Sequence, residues 1–584
     1  MKFSNIKNRH FFLLALLIIS IGSCKKDGFL SVPPNGVLTD ASTFSSQSNA
    51  DLFVSDIYNQ LPDLNNVDRF LDGWTDNSNV GATSMEGQAL IRSNALSSGN
   101  STFGPGNTLA WQDNGNSPGN YSKIRRCNVF LKDAAANPGA YDAAWYAQRV
   151  AEVKFLRAFY YSILFKNYGG VPLITIPLTN LDGSDIFTAR STFDQTLAFI
   201  EADCDAAAAV LPLKQGKADL GRATKGAALA LKADVELFAA SPLVNTSNDP
   251  TKWAKAAATN LAVMNLGVYD LFKVSSATPI LSTTGSGTTS TAYRDQFLAA
   301  NNWNIETIFA RAYALPNKGH HREGYMGPVI VKGGQQAWGN IAPTQNLVDD
   351  YEMDNGKPIT DPTSGYDPQH PYMHRESRFE QSIVYDGSYW QGEVFLSRIG
   401  GGNQIDLGST SDITNTGYNG RKTLDESILG QTSLSNPAPG TSNYQFYRYA
   451  EILLSYAEAQ NEAVGPDASV YSAVNAVRAR VLLPALPAGL SQADMRTNIR
   501  RERRVEFTFE DKRWYDIRRW DITVKGPAVL NTPEYGMVIT GTTGNLKYTP
   551  TIVFQNRFSE YMNFLPIPQG VINQNTKLTQ NPGY

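Results

Sequence analysis

Lys225-Gly-Ala-Ala-Leu-Ala-Leu-Lys-Ala-Asp-Val-Glu-Leu-Phe-Ala-Ala240 sets the reading of the fold. Apolar residues recur along it at three- and four-residue spacing, the pattern of a helix with a buried face. Its alanines leave room for a neighbouring helix to approach closely. The same spacing runs through Tyr121 to Ala136, Tyr146 to Phe165, Phe193 to Val210 and Trp253 to Leu266. Turn-forming residues punctuate the gaps at Asn137-Pro138-Gly139, Gly169-Gly170, Leu211-Pro212 and Ser241-Pro242. Such a run of small-residue helices reads as stacked antiparallel pairs, a degenerate repeat of the tetratricopeptide kind.

Outward from that core the pattern changes. Phe272 to Asn443 is rich in Gly, Ser, Thr and Asn, with short apolar runs such as Pro328 to Val331. It reads as irregular, with a few short strands and long loops, and long loops inside a compact protein tend to carry function. Helical spacing returns at Tyr447 to Val464, Ser469 to Val481 and Gln492 to Phe509, and Trp520 to Tyr584 reads as loop. The expected fold is mainly α: a tetratricopeptide-like helical-repeat superhelix with an irregular loop-rich insertion carrying short strands. The chain divides into 1–23, a leader; 24–45, a tether; 46–270, the first helical region; 271–445, the insertion; and 446–584, the second helical region and tail.

The leader has a positive start (Lys2, Lys7, Arg9) and an uncharged apolar run from Phe11 to Ile19. That run is too short for a stable span, which takes about 20 residues, and has the layout of a secretory signal. Ile21-Gly22-Ser23-Cys24 resembles a bacterial lipobox, in which the Cys24 thiol receives a diacylglyceryl group. Each buried CH2 of such a chain contributes about 0.8 kcal/mol to membrane binding. The Ser, Pro, Asn and Gly that follow suit a flexible tether. A formal net charge of −3 argues against nucleic acid, whose binders show a clustered basic face. Cys127 and Cys204 fall in helical patterns and read as buried free thiols.

Three blocks carry a resemblance. The first is Arg157-Ala158-Phe159-Tyr160-Tyr161 with Asn167-Tyr168-Gly169-Gly170-Val171-Pro172-Leu173. The second is Arg448-Tyr449-Ala450-Glu451-Ile452-Leu453-Leu454 with Tyr456-Ala457-Glu458-Ala459. The third runs from Arg501-Glu502-Arg503-Arg504-Val505-Glu506-Phe507 to Arg513-Trp514-Tyr515-Asp516-Ile517-Arg518-Arg519-Trp520. With Pro343-Thr344-Gln345, Val348-Asp349-Asp350-Tyr351, the ending Gln580-Asn581-Pro582-Gly583-Tyr584 and the lipobox, the chain resembles the SusD/RagB family of outer-membrane nutrient-binding lipoproteins. The resemblance implies non-catalytic capture of an oligosaccharide, no cofactor, and a SusC-like TonB-dependent outer-membrane transporter as partner, over which the lipoprotein sits as a lid. Some members bind peptides instead.

The blocks also have a reading of their own. Phe155, Phe159 and Ile163 share one helix face. Ala450, Leu453, Leu454 and Ala457 make an apolar stripe, with Glu451 and Glu458 outside it. In the third block Glu502, Glu506, Glu510, Asp511 and Asp516 offset the arginines locally, so it reads as a salt-bridged corner with Trp514 and Trp520 against guanidinium planes.

Chemistry is sparse elsewhere. Gly115-Asn116-Ser117-Pro118-Gly119 matches a serine-nucleophile pattern, but it lies in a polar loop and reads as a turn. His370 and His374 have a helical metal-ligand spacing without a third ligand at a recognised distance. Asp349-Asp350 and Asp354-Asn355-Gly356 read as solvated turns. A pair of catalytic carboxylates leaves no spacing in sequence, so an envelope-anchored glycan hydrolase stays open at this point. Trp145, Trp253, Trp514 and Trp520 read as packing residues. Trp74, Trp111, Trp303, Trp338 and Trp390 sit among small polar residues in loops, where an indole face suits a sugar ring. The expected ligand contacts are Trp74, Asn77 and Asn79 in the early loop and Trp303, Tyr325 and Trp338 in the middle region.

Overall fold

The computed structural model describes residues 40–67, 70–79, 87–179 and 185–584. The expected leader and Cys24, the expected lipidation site, lie outside the described residues.

Helices α1 (Gln47–Asn59), α2 (Asn120–Asp133), α3 (Ala143–Tyr168), α4 (Phe193–Val210), α5 (Lys225–Ala240) and α6 (Pro250–Met264) pack each on the next. Local chemistry sets their ends. Asp142 accepts from the Trp145 amide to open α3, and Thr192 and Gln195 cap α4 reciprocally. Pro250, behind the Asp249 cap, takes the first turn of α6. Gly169 closes α3 at φ 81°, a conformation that costs glycine little.

The array does not end at α6. Helix α7 (Tyr449–Val464) docks on α6 and carries α8 (Ala468–Arg480) and α9 (Gln492–Glu506). The chain therefore leaves the superhelix, builds the insertion, and resumes beside the helix it left. Ala450, Leu453, Leu454 and Ala457 are buried, as the stripe requires. Glu451 and Glu458 lie off the stripe, as expected, and are buried as well. Lys512 meets Glu451 at 2.9 Å and Arg519 clasps Glu458 at 2.5 and 2.6 Å, so both carboxylates face the third block.

The insertion is held by short antiparallel pairs. Strand β1 (Thr307–Arg311) pairs with β2 (Tyr444–Arg448), joining its two ends over the array. Phe309 and Phe446 of this pair meet Phe155 and Phe159 of α3 at ring-centroid distances of 4.8 and 5.0 Å. The tail corrects the loop reading of Trp520 to Tyr584: β3 (Pro533–Thr542) and β4 (Asn545–Gln555) form a long hairpin. Thr543 and Gly544 make its turn, with Gly544 at positive φ, and Met537 and Ile539 are buried in one cluster with Tyr372 and Tyr418.

The arginine-rich third block is structural. Arg503 pairs with Asp516 at 3.0 Å, and Arg504 and Arg513 share Asp76 at 2.9 Å each. The guanidinium of Arg518 lies 4.5 Å over the Trp514 ring and that of Arg519 lies 5.0 Å over Trp520. Deeper in, Arg448 reaches Glu306, Glu506 and Glu510 at 2.7 Å each. Burial alone would push the Glu506 carboxyl up, but Arg480, Arg448 and Arg378 outweigh it and hold the group well below the usual range. Cys127 and Cys204 are both buried and unpaired.

Candidate functional site

Tyr325 and Trp338 are the predicted contacts that the fold brings together. Their rings lie 4.9 Å apart, centroid to centroid, inclined by 33°. Tyr325 sits on the short helix Arg322–Met326. The chain then turns back, and the Trp338 amide donates to the Gly324 carbonyl at 2.9 Å while Asn340 donates to the Tyr325 carbonyl at 3.1 Å. Gly339, at φ 64°, fits the turn without a side chain; a Cβ there would stand 2.7 Å from the Asp412 carbonyl oxygen. His321 backs the shelf, 5.7 Å from the Tyr325 ring, with Nδ1 on the Ser433 carbonyl at 2.5 Å. Trp338 stays 37 % exposed, so the aromatic pair is a shelf open on one side.

That shelf forms one wall of a cleft of about 490 Å³, within the usual range of small-ligand sites. Asn66, Phe103, Asn107, Asn114 and Ser117 line it opposite. Asn66 is fixed: its Oδ1 accepts from the His321 amide and its Nδ2 donates to the Gly319 carbonyl at 3.0 Å. Asn114 Nδ2 donates to Asn107 Oδ1 at 3.3 Å. Among the described residues this leaves one amide donor, on Asn107, and one acceptor, on Asn114, without a protein partner. No residue lining the cleft carries a charge at neutral pH. Its polar groups are amides and hydroxyls, which offer donors and acceptors together.

The early-loop contacts do not join this site. Trp74 is 3 % exposed and stands edge-on to Trp514, and a Cβ on Gly87 would fall 2.8 Å from its ring. Asn77 Oδ1 accepts from Arg504 Nε and Asn79 Oδ1 from Gln88 Nε2, both at 2.8 Å. All three are interior residues, because this loop is the seat on which the third block docks. Trp303 is half-buried, its ring 3.3 Å from where a Gly221 Cβ would stand, and it does not line the cleft. Trp111 and Trp390 are buried as well, the first among Tyr121 and Tyr168, the second under Arg421.

Sequence reasoning missed Asn66, Asn107, Asn114 and Ser117. The signal was present as turn chemistry: Gly104, Gly106 and Asn107 all adopt positive φ, and Asn114 and Ser117 exchange backbone hydrogen bonds at 3.0 Å in the loop read as a turn. His370 and His374 also line one cleft, where each ring is held by its own carboxylate, Asp367 at 2.7 Å and Asp354 at 3.2 Å. Behind the shelf, burial pushes the Glu323 carboxyl up to about 7 and the His320 imidazole down to about 3. Both face protein and not the cleft.

The chain matches two family models. Residues 305–584 match the SusD family. Residues 46–237 match the family described as starch-binding associating with outer membrane. SusD-like protein P38 of Formosa agariphila is 24 % identical over 547 residues, covering 90 % of this chain and 94 % of that one. A SusD-like protein from Bacteroides fragilis superposes with a TM-score of 0.74 at 27 % identity, covering 94 % of this chain and 99 % of that one. A SusD-like carbohydrate binding protein from the same organism superposes with a TM-score of 0.73 at 22 % identity, over 92 % of this chain and 100 % of that one.

Proposed function

The chain belongs to the SusD/RagB family, and on that premise we propose that it captures an oligosaccharide at the outer membrane. It passes the ligand, unaltered, to a SusC-like TonB-dependent transporter. A lipid on Cys24 holds it at the membrane, with the binding domain on a tether.

The observation that carries the binding role is the Tyr325–Trp338 shelf over an uncharged cleft. A sugar ring has an apolar C–H face that stacks on an indole. Its hydroxyls both donate and accept, which matches the unpaired amide halves of Asn107 and Asn114. Glycosidic hydrolysis by the usual route takes two carboxyl groups, whereas the described residues lining this cleft include no carboxylate. A peptide, the alternative ligand in the family, brings charged termini and side chains that find no counter-charge there.

The test is a glycan and peptide array with the protein lacking its leader and Cys24, followed by calorimetry on wild type and Trp338→Ala. Glycan binding that falls with Trp338→Ala supports the reading. Peptide binding, release of glycan fragments, or glycan binding indifferent to Trp338→Ala and Tyr325→Ala overturns it.

A further inference from the structure

Ser117 lines two clefts. One is the aromatic-walled cleft; the other, of about 910 Å³, runs beside α1 and α2 and includes Gln60, Asn116, Ser122, Arg125 and Pro177 in its lining. The ridge between them is the tight turn from Asn114 to Ser117, whose residues are all exposed. Asn114 faces the first cleft, Gly115 and Asn116 face the second, and Ser117 faces both. The ridge is low. Gly115, at φ 56°, has open space where a Cβ would stand, and among the described residues Ser117 alone is common to the two linings.

From this geometry we infer that the site is double: a glycan chain stacked on Tyr325 and Trp338 continues over the Asn114–Ser117 ridge into a second subsite beside α1 and α2. The inference rests on the carbohydrate reading of the first cleft. The second cleft suits a continuing sugar chain. Gln60, Asn116 and Ser122 supply amide and hydroxyl partners, and Pro118 and Pro177 supply flat apolar faces; unlike the first cleft, this one also carries charge, on Asp113, Arg126, Lys132 and Asp133, with Arg126 paired to Asp56. Arg125, exposed and in no ion pair among the described residues, adds a donor array for hydroxyls or an acidic substituent. Affinity therefore depends on chain length. A disaccharide fills the first cleft alone, whereas a longer chain binds both and gains from being already held at one end.

Asn116 lines only the second cleft and is exposed, so Asn116→Trp obstructs that cleft while leaving the first intact. The probes are size ladders, disaccharide to octasaccharide, prepared from maltodextrin, cellodextrin, xylan and laminarin, titrated against wild type, Asn116→Trp and Arg125→Ala. The expected result is that wild type binds the long members of one ladder at least about tenfold more tightly than its disaccharide. Both variants should keep disaccharide affinity and lose most of the gain. A long-chain gain undiminished in both variants, or equal affinity for short and long chains, overturns the double site while the Trp338-dependent reading stands. Failure of every ladder to bind in a Trp338-dependent manner removes that reading, and the double site with it.

Discussion

Trp74 stands edge-on to Trp514, their rings 5.3 Å apart and at 90°, with Trp514 wholly buried in the core where the early loop meets the third block. Two indoles separated by most of the chain are thus one packing unit. Trp514 is further fixed by Arg518 over its face and by Asn167, which accepts from its Nε1 at 3.3 Å. Removing either ring leaves a large cavity next to buried charges that cannot move in to fill it. Trp74→Ala and Trp514→Ala should each cost about 3–5 kcal/mol of stability, read as a shift of the urea midpoint. Loss of ligand affinity by folded Trp74→Ala, without loss of stability, would contradict this placement.

Trp338 predicts the opposite pairing of effects. Its ring is 37 % exposed and packs on Tyr325, so less packing is lost on truncation than at the buried Trp514. Trp338→Ala should weaken glycan binding by about 1–3 kcal/mol, the range for a central anchor, and leave the melting temperature close to wild type. Trp303→Ala should leave affinity unchanged, since that ring covers Gly221 outside the cleft. Calorimetry and thermal unfolding on the same preparations separate the two effects.

Glu236 supplies a pH dependence of stability. It is buried on α5 against α4 and α6, and its carboxyl is pushed up to about 7, chiefly by burial and also by Glu201, against the opposing pull of Thr259, Lys255 and Lys232. The nearest cation, Lys255, is 3.7 Å away. A carboxyl raised by folding contributes stability that is complete below its unfolded value of 4.5 and is lost as pH rises through about 7. Glu236→Gln removes that loss. The variant should be more stable than wild type by about 1–3 kcal/mol near pH 8 and equal to it near pH 4.5. Urea unfolding at the two pH values measures the difference, and equal gains at both would rule out titration as its source.

Arg448 is the reverse case, a buried cation serving three carboxylates. Arg448→Met leaves Glu306, Glu506 and Glu510 short of charge in a dry environment. The cost should be about 3–5 kcal/mol. Arg448→Lys should recover little, because an ammonium cannot reproduce the planar fork that meets Glu510 through Nε and Nη2 together.

The helices were legible because their signals are local: α4 and α5 begin and end where the apolar spacing and the flanking Thr, Pro and Ser place them. The hairpin β3–β4 was less so, since Gly, Thr and Pro within it mimic loop composition until the partner strand is known. The site split along the same line. Tyr325 and Trp338 were singled out by residue type, and the fold stacks them beside a cleft. The depth of Trp74, Asn77 and Asn79 was hidden, because a polar stretch reads as surface unless its distant partners, Arg504 and Trp514, are placed beside it. Asn66, Asn107 and Asn114 converge from separate turns, and no spacing in the chain announces that.

The proposed role makes a prediction about the membrane. A binder outside the cell is useful only if its ligand crosses, and no helix among the described residues is long and apolar enough to span a bilayer. In the proposed role import is the work of another protein, a TonB-dependent barrel. A binder held only by its lipid would release ligand to solvent as readily as to a pore, so the contact with the barrel should be broad and should survive mild detergent. Cys24→Ala should leave the protein unlipidated and lost from the outer-membrane fraction, while its affinity for glycan stays unchanged. Deleting the protein should lower uptake most when the nutrient is scarce, because capture limits import only at low concentration. Extraction as a free monomer in several mild detergents, together with normal uptake in the deletion strain at low nutrient, would leave the chain a surface glycan binder without a transporter.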